Sequence, residues 1–350
     1  MANPTKRRVT IRDVAAMAGV SYQTVSRVLN DRLDVADETR QRVKQVMQTL
    51  GYQPSAAARS LALKRSHTLG LITSDFSDWF FTQVIVGAEI AVRKSNYYLL
   101  LSSTERNPDD EPKYLKLFSE REVDGMLFIR ANAQGDSQQM IALSEQGMPI
   151  VTTAYDTQAR FDQVCVIVVD NIKGGFLATQ RLVDVGHRQI GMITGPKKWE
   201  AAQDRMLGYR RALEQSGINF DPSLVEHGDW SYDSGYRAMQ HLLARAPQIT
   251  ALFAQNDRMA IGAMRSLREA GRKIPGDVAI VGFDDVPAAA FSTPPLTTVR
   301  QPMIRIGQIA VELLIQMIEN PAQERKEVLL EPELIIRQTC QKSDSTICIS

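Results

Sequence analysis

The sequence predicts a small all-α head carrying a helix-turn-helix, followed by an α/β body of two similar parallel-sheet halves. Three observations predict it. Residues 10–30 hold two short helical patterns back to back across a glycine. From residue 67 onward, buried-strand runs alternate with helical patterns, as parallel sheets covered by helices require. The run Thr68-Leu69-Gly70-Leu71-Ile72-Thr73 is also echoed 121 residues later by Gln189-Ile190-Gly191-Met192-Ile193-Thr194, as the first strand of each half would be. Two buried strands can match by composition alone, so the echo is an expectation for the topology to meet.

In the head, Thr10 is expected to cap a first helix with Asp13 in capping-box position, over an apolar stripe of Val14, Ala15 and Ala18. Gly19 supplies the turn, and Ser21 caps a second helix whose Val25, Val28 and Leu29 face inward. Two helices joined this closely make a unit whose second helix enters the DNA major groove with its N-terminal residues on base edges. Those residues are Tyr22 and Gln23, with Arg27 one turn later on the same face. Gln pairs bidentately with adenine and Arg with guanine, so the residue types suit base reading. A third amphipathic helix is expected over 38–49, apolar at Val43, Val46, Met47 and Leu50, and stopped by Gly51-Tyr52-Gln53-Pro54. Ser55 can cap an Ala-rich helix over 56–63, too short to hold alone in water and so expected to form against a partner. Lys64-Arg65-Ser66 reads as the exit linker.

Charge divides at the same place. Residues 1–66 carry 12 Lys+Arg against 5 Asp+Glu, while the remainder carries 29 against 35, so a net charge of +1 hides a basic head on an acidic body. That asymmetry fits a nucleic-acid-binding end fused to a different module.

In the body, strand runs fall at 68–73, 98–102, 125–129, 149–153, 164–169, 189–194, 251–254 and 278–282. Helical patterns lie around 82–95, 109–121, 137–147, 173–186, 201–217, 234–246 and 257–271. A ligand is expected at the strand C-terminal ends, between the halves. Cys165, Cys340 and Cys348 suit neither a disulfide framework nor a zinc site. No apolar run reaches the roughly 20 residues of a membrane span, and the N-terminus lacks the apolar core of a signal peptide; a cytoplasmic location is expected. No Gly-x-Gly-x-x-Gly, Walker-type or His-Glu-x-x-His pattern occurs. His67, His187, His227 and His241 do not fall at metal-ligand spacing, and Gly174-Gly175 after Asp170 fits a helix start as well as a phosphate loop. No enzyme, cofactor or metal is therefore expected.

From about Arg8 to Thr339 the chain resembles the lactose-repressor family of bacterial transcription regulators. The similarity rests on Val20-Ser21-Tyr22-Gln23-Thr24-Val25-Ser26-Arg27-Val28, Gly186-His187-Arg188, Asn256-Asp257-Arg258-Met259-Ala260-Ile261-Gly262, Val281-Gly282-Phe283-Asp284-Asp285 and Pro295-Leu296-Thr297-Thr298-Val299, in that order. The resemblance implies a head over 1–54, a hinge helix and linker over 55–66, and a periplasmic-binding-protein-like sensor over 67–341. It further implies an N-subdomain over about 67–167 and 302–328, a C-subdomain over about 168–301 and 329–341, and a tail over 342–350. A homodimer on a pseudo-palindromic double-stranded operator, acting as a repressor released by a small sugar, follows as an expectation. A periplasmic-type sugar-binding protein without a regulatory role is the main rival, and the basic head argues against it.

By the same resemblance, Tyr22, Gln23 and Arg27 match base-reading positions. Thr10, Ser21, Thr24, Ser26 and Asn30 match other DNA-contact positions, where a hydroxyl that caps a helix can also bond a phosphate. Leu61, flanked by Ala58 and Ala62, matches the hinge leucine that wedges into the minor groove. Phe80, Phe81, Trp199, Arg205, Trp230, Asn256, Asp284 and Gln301 match effector-contact positions. Aromatic faces suit sugar C–H groups, while Asp, Asn and Arg satisfy hydroxyls. All three tryptophans, Trp79 included, are expected near one cleft, and Asp257 is expected to cap a helix. Purine-binding members carry Arg where Trp199 stands, so a purine effector is not expected. The tail lacks the leucine heptad that makes tetramers in the family, so a dimer is the expectation.

Overall fold

The computed structural model describes residues 9–29, 32, 34–52, 65–129, 137–153, 164–322 and 326–341. The chain divides into two compact units, 1–67 and 68–350.

The first unit contains α1 (Ile11–Ala18), α2 (Tyr22–Leu29) and α3 (Asp37–Leu50). The capping box forms: Asp13 N–H donates to Thr10 Oγ1 at 3.4 Å, and Thr10 N–H donates to Asp13 Oδ2 at 2.8 Å. Gly19 ends α1 at φ 64, a left-handed conformation that glycine adopts without a Cβ penalty. Ser21 Oγ accepts from Thr24 N–H at 3.1 Å, starting α2. Val14, Val25, Val28 and Val43 are buried from the three helices, joined by Val35 of the intervening loop. Each such valine contributes roughly 1.5–3 kcal/mol when fully buried, which is what holds so small a unit together. The Ala-rich segment 56–63 lies outside the described residues, as do the contact positions Asn30, Ala58, Leu61 and Ala62.

The second unit holds two six-stranded sheets. The first contains β1 (Thr68–Thr73), β2 (Tyr98–Ser103), β3 (Gly125–Ile129), β4 (Ile150–Thr152), β5 (Cys165–Val169) and β11 (Glu327–Leu330), in the order β11-β5-β4-β3-β1-β2. The second contains β6 (Ile190–Thr194), β7 (Val225–His227), β8 (Ala251–Ala254), β9 (Ala279–Asp284), β10 (Thr297–Arg300) and β12 (Glu333–Ile335), in the order β12-β10-β9-β8-β6-β7. All neighbouring strands are parallel except β12, which runs antiparallel to β10. The echoed strands β1 and β6 occupy the same place in the two sheets, each between the next strand in sequence and the one after. The echo is therefore topological.

Helices cover both sheets: α4 (Trp79–Val92), α5 (Glu111–Glu120), α6 (Ser137–Glu145) and α12 (Met303–Glu319) with the first, and α7 (Asn171–Asp184), α8 (Glu200–Gln215), α9 (Tyr232–Arg245), α10 (Asp257–Glu269) and the short α11 (Pro287–Phe291) with the second. The chain crosses between sheets three times: after β5, after β10 and after β11. The sequence-based division at 167/168 and 328/329 falls two residues early, because Val168 and Val169 pair with Leu329 and Leu330 in the first sheet. Sequence periodicity also passed over β7, β10, β11, β12, α11 and α12.

Candidate functional site

On the head, α2 buries Val25 and Val28 and half-buries Thr24 and Ser26, leaving Ser21, Tyr22, Gln23 and Arg27 exposed. Tyr22, a large aromatic, is 56% exposed, which hydrophobic packing does not account for. The Arg27 guanidinium lies 3.6 Å from the Asp34 carboxylate, an exposed pair that holds the arginine on this face. Ser21 and Thr24 are engaged in the cap, and their hydroxyls bond each other at 2.9 Å. The helix therefore presents three side chains able to read base edges beside hydroxyls suited to phosphate.

In the body, a cavity of about 630 Å³ lies at the C-terminal ends of the strands, lined from both sheets. Phe80, Phe81, Trp199, Arg205, Trp230, Asn256, Asp284 and Gln301 all line it. The third tryptophan does not. Trp79 opens α4 and packs against the apolar cores of both halves instead.

Each lining group has a local reason for its position. Asp78 caps α4 by accepting from Phe80 N–H at 3.0 Å, which sets Phe80 and Phe81 at the cavity edge with their rings at 81°. Arg205 lies in the second turn of α8, where α7 passes against it with Gly175; a Cβ there would strike the Arg205 carbonyl. Arg205 is buried, donating from Nε to Asn171 Oδ1 at 2.8 Å and from a terminal nitrogen to the Gln255 carbonyl at 2.5 Å, with its guanidinium 3.6 Å above the Phe283 ring. Burial lowers its pKa to about 10, while Asp284, Asp204, Asp78 and Asp257 favour its charge.

Asn256 caps α10, accepting from Met259 N–H at 2.8 Å, and its amide donates to the Trp230 carbonyl at 3.0 Å. Asp257, expected to be the cap, has another task. Its buried carboxylate accepts from Val286 N–H at 2.9 Å and from the Thr298 hydroxyl at 2.5 Å, tying the loop after β9 to β10. Asp284 accepts from Gln301 Nε2 at 2.7 Å. Burial pushes its pKa up to about 7, against the pull of Arg205. Trp230 at φ 73 and Asp284 at φ 114 both hold backbone conformations unfavourable to side-chain-bearing residues, and both line the cavity. Such strain persists where the surrounding structure enforces it. The Trp199 and Trp230 rings stand 5.4 Å apart at 54°.

Sequence reasoning missed Asp78, Asp170 and Asp204, which also line the cavity. Asp78 is partnered by Arg106 at 3.3 Å and, across the cleft, by Arg258 of α10 at 3.7 Å. Arg106 also lies 5.7 Å over the Trp199 ring. Among the described residues, no group of His, Cys, Asp and Glu could hold a metal ion, and no helix is long and apolar enough to cross a membrane.

A helix-turn-helix with an exposed reading face, joined to a two-sheet body with a cleft at its strand ends, defines a ligand-sensing DNA-binding regulator. Comparison with known proteins agrees. Residues 10–55 match the model of bacterial regulatory proteins of the lacI family, and residues 179–340 match a periplasmic binding protein-like domain. The HTH-type transcriptional regulator CelR of Thermobifida fusca is 38% identical over 339 residues, covering 95% of this chain and 99% of that one. A structure of a CelR–cellobiose complex superposes with a TM-score of 0.73 at 36% identity, over 95% of this chain and 100% of that one. The lac repressor dimer bound to operator and the anti-inducer ONPF gives a TM-score of 0.84 at 30% identity, over 95% and 99%. The chain belongs to the lacI family of bacterial regulatory proteins and is a DNA-binding transcriptional regulator.

Proposed function

We propose that this chain acts as a homodimeric repressor of a carbohydrate-utilisation operon, released from its operator when a small sugar binds between the two halves. The observation that carries this reading is the convergence of two tryptophans, two phenylalanines, Asn256, Asp284, Gln301 and Arg205 on one cavity of about 630 Å³. Aromatic surface with a few placed polar groups is what a compact polar ligand with C–H faces requires. Cellobiose in the CelR complex supports a sugar of this general kind. Tyr22, Gln23 and Arg27 read bases, Thr10, Ser21, Thr24 and Ser26 position the head, and the protein works in the cytoplasm, where its operator is. It binds its sugar without transforming it.

The motion of one half on the other alters the spacing of the two heads, which a two-fold operator requires to be about one helical turn or a multiple of it. Because coupling is reciprocal, an inducer that weakens operator binding itself binds more weakly to the operator complex.

The test is a mobility-shift titration of full-length protein on the DNA upstream of the genes beside its own, with and without candidate sugars. A shifted complex dissolved by one sugar, recovered chemically unchanged, is the expected result. No shift, or a shift indifferent to every sugar, overturns the reading; release by a purine base instead would move the protein to the purine-sensing branch. Arg27→Ala is expected to cost about 1–3 kcal/mol and relax one operator position. A loss uniform across sequences would make Arg27 a phosphate contact.

A further inference from the structure

A second cavity, of about 290 Å³, lies within the second half alone, at the β7 edge of its sheet. It forms where α8 and the turn at Pro222–Leu224 pass the ends of β6 and β7. Met206 and Arg210 of α8 line it, whereas Asp204 and Arg205 of the same helix line the cleft, so one helix separates the two spaces. Gln203 borders both. Its side-chain amide donates to the Lys197 carbonyl at 2.9 Å, fastening the loop after β6 to α8.

The charge of this cavity is the reverse of the body's. Lys197, Arg210 and His227 line it and no carboxylate does, in a body whose carboxylates outnumber its Lys and Arg. Among the described residues, neither Lys197 nor Arg210 has a carboxylate partner. The acids close by are engaged elsewhere: Glu226 pairs with Arg245 at 2.7 Å, and Asp221 accepts from Ser223 N–H at 2.8 Å. The Arg210 guanidinium rests 4.1 Å over the Phe220 ring, which orders its plane and leaves its N–H edge available. Thr194 gives its one hydroxyl proton to the Gly195 carbonyl at 2.9 Å. His227 therefore donates to that hydroxyl from Nδ1 at 2.7 Å, and Nε2 is left over. Burial and the Lys197 ammonium both disfavour charge on His227, and Glu226 favours it. Cations gathered without a counter-charge repel one another, and an anion among them would reverse that.

We propose that this second cavity binds a small organic phosphate, with Lys197, Arg210 and His227 on the phosphoryl group and Met206, Phe220 and Val225 on the carbon part. A phosphoryl group offers three oxygens in three directions, which suits donors arriving from the loop after β6, from α8 and from the end of β7. A planar carboxylate has two oxygens and would leave one donor unused. Phe220, Met206, Pro222 and Val225 give the cavity an apolar wall that an inorganic ion would leave uncovered. The site does not depend on which ligand fills the cleft.

The test is saturation-transfer NMR on the full-length protein, with phenyl phosphate as probe and inorganic phosphate, benzoate and benzyl alcohol as competitors. Saturable binding of phenyl phosphate is expected, with each competitor about tenfold weaker or more. Lys197→Gln and Arg210→Gln are each expected to weaken the probe about fivefold, and the pair together about 20-fold. Both side chains are exposed, so the melting temperature is expected to hold in these variants. Arg210→Lys keeps the charge and is expected to lose less than Arg210→Gln. Arg211→Gln removes the next exposed cation of α8, outside the cavity, and is expected to leave binding within about twofold. No binding of phenyl phosphate, binding indifferent to both Lys197→Gln and Arg210→Gln, or an equal loss in Arg211→Gln overturns the site. Benzoate within about threefold of the probe overturns the phosphoryl assignment. Inorganic phosphate within the same margin overturns the organic ligand and marks an adventitious ion only.

Discussion

The two halves of the body share a strand order and do different work at the cavity between them. The second half supplies Trp199, Arg205, Trp230, Asn256, Asp284 and Gln301, and binds them to one another before any ligand arrives. Gln301 holds Asp284, Asn256 holds the Trp230 carbonyl, and Arg205 is fixed by Asn171 and Gln255. The first half supplies two phenylalanine rings and Asp78, which reaches back to Arg258 of the second. One half is a preorganised hydrogen-bonding surface and the other an apolar cover with an electrostatic tether. The same topology thus yields two roles, set by which side chains stand at the strand ends.

The largest effect that would sharpen this contrast is on stability. Arg205→Ala removes a buried cation that three aspartates of the second half and Asp78 favour, and is expected to cost about 3 kcal/mol. Thermal unfolding of the free protein would show it; an unchanged melting temperature would mean that the second half does not depend on this preorganisation. Next comes ligand affinity. Asp284→Asn keeps shape and removes charge, and is expected to weaken sugar binding 10- to 100-fold. Phe81→Leu in the first half is expected to weaken it less than tenfold. Calorimetry on both variants would break the comparison if the order reversed.

A smaller effect follows from acidity. The Asp284 carboxyl is raised from 3.8 to about 7, so the folded state holds its proton more tightly than the unfolded chain does. Its contribution to stability is full below pH 3.8 and is lost as pH rises through about 7. Sugar hydroxyls donate to the ionised form, so affinity is expected to rise between pH 6 and 8 and to flatten above. Affinity falling over that range would make the carboxyl a donor to the ligand. The smallest effect belongs to the tether. Arg258→Ala removes a partly exposed pair worth no more than about 1 kcal/mol, so apparent sugar affinity should move by at most about fivefold.

Legibility in the sequence follows the same division between local and non-local causes. The head was readable because Thr10, Asp13, Gly19 and Ser21 act on residues within four positions of themselves. The long strands and most helices were readable from period alone. By contrast, β11 and β12 are four and three residues long and form only against β5 and β10, far away in the chain. The helix α12 begins at Met303, after Pro302 at the N-cap position and without a side-chain cap, so no capping signal marks it. The eight effector positions came from family resemblance, whereas Asp204 looks in sequence like any carboxylate on the wet face of a helix. Only the packing of α7 on α8 turns it toward Asp170 and the cavity.

The three crossings between the sheets have a consequence for synthesis. As the chain leaves the ribosome, the first half is emitted early except for α12 and β11, which arrive only after β6 to β10 of the second half. Until then its sheet has an unpaired edge at β5, and α4 lacks the helix whose close approach Gly87 and Gly307 permit. Exposed strand edges of this kind are where nascent chains pair wrongly. The second half, nearly continuous in sequence, can condense first and serve as the template on which its older neighbour is completed.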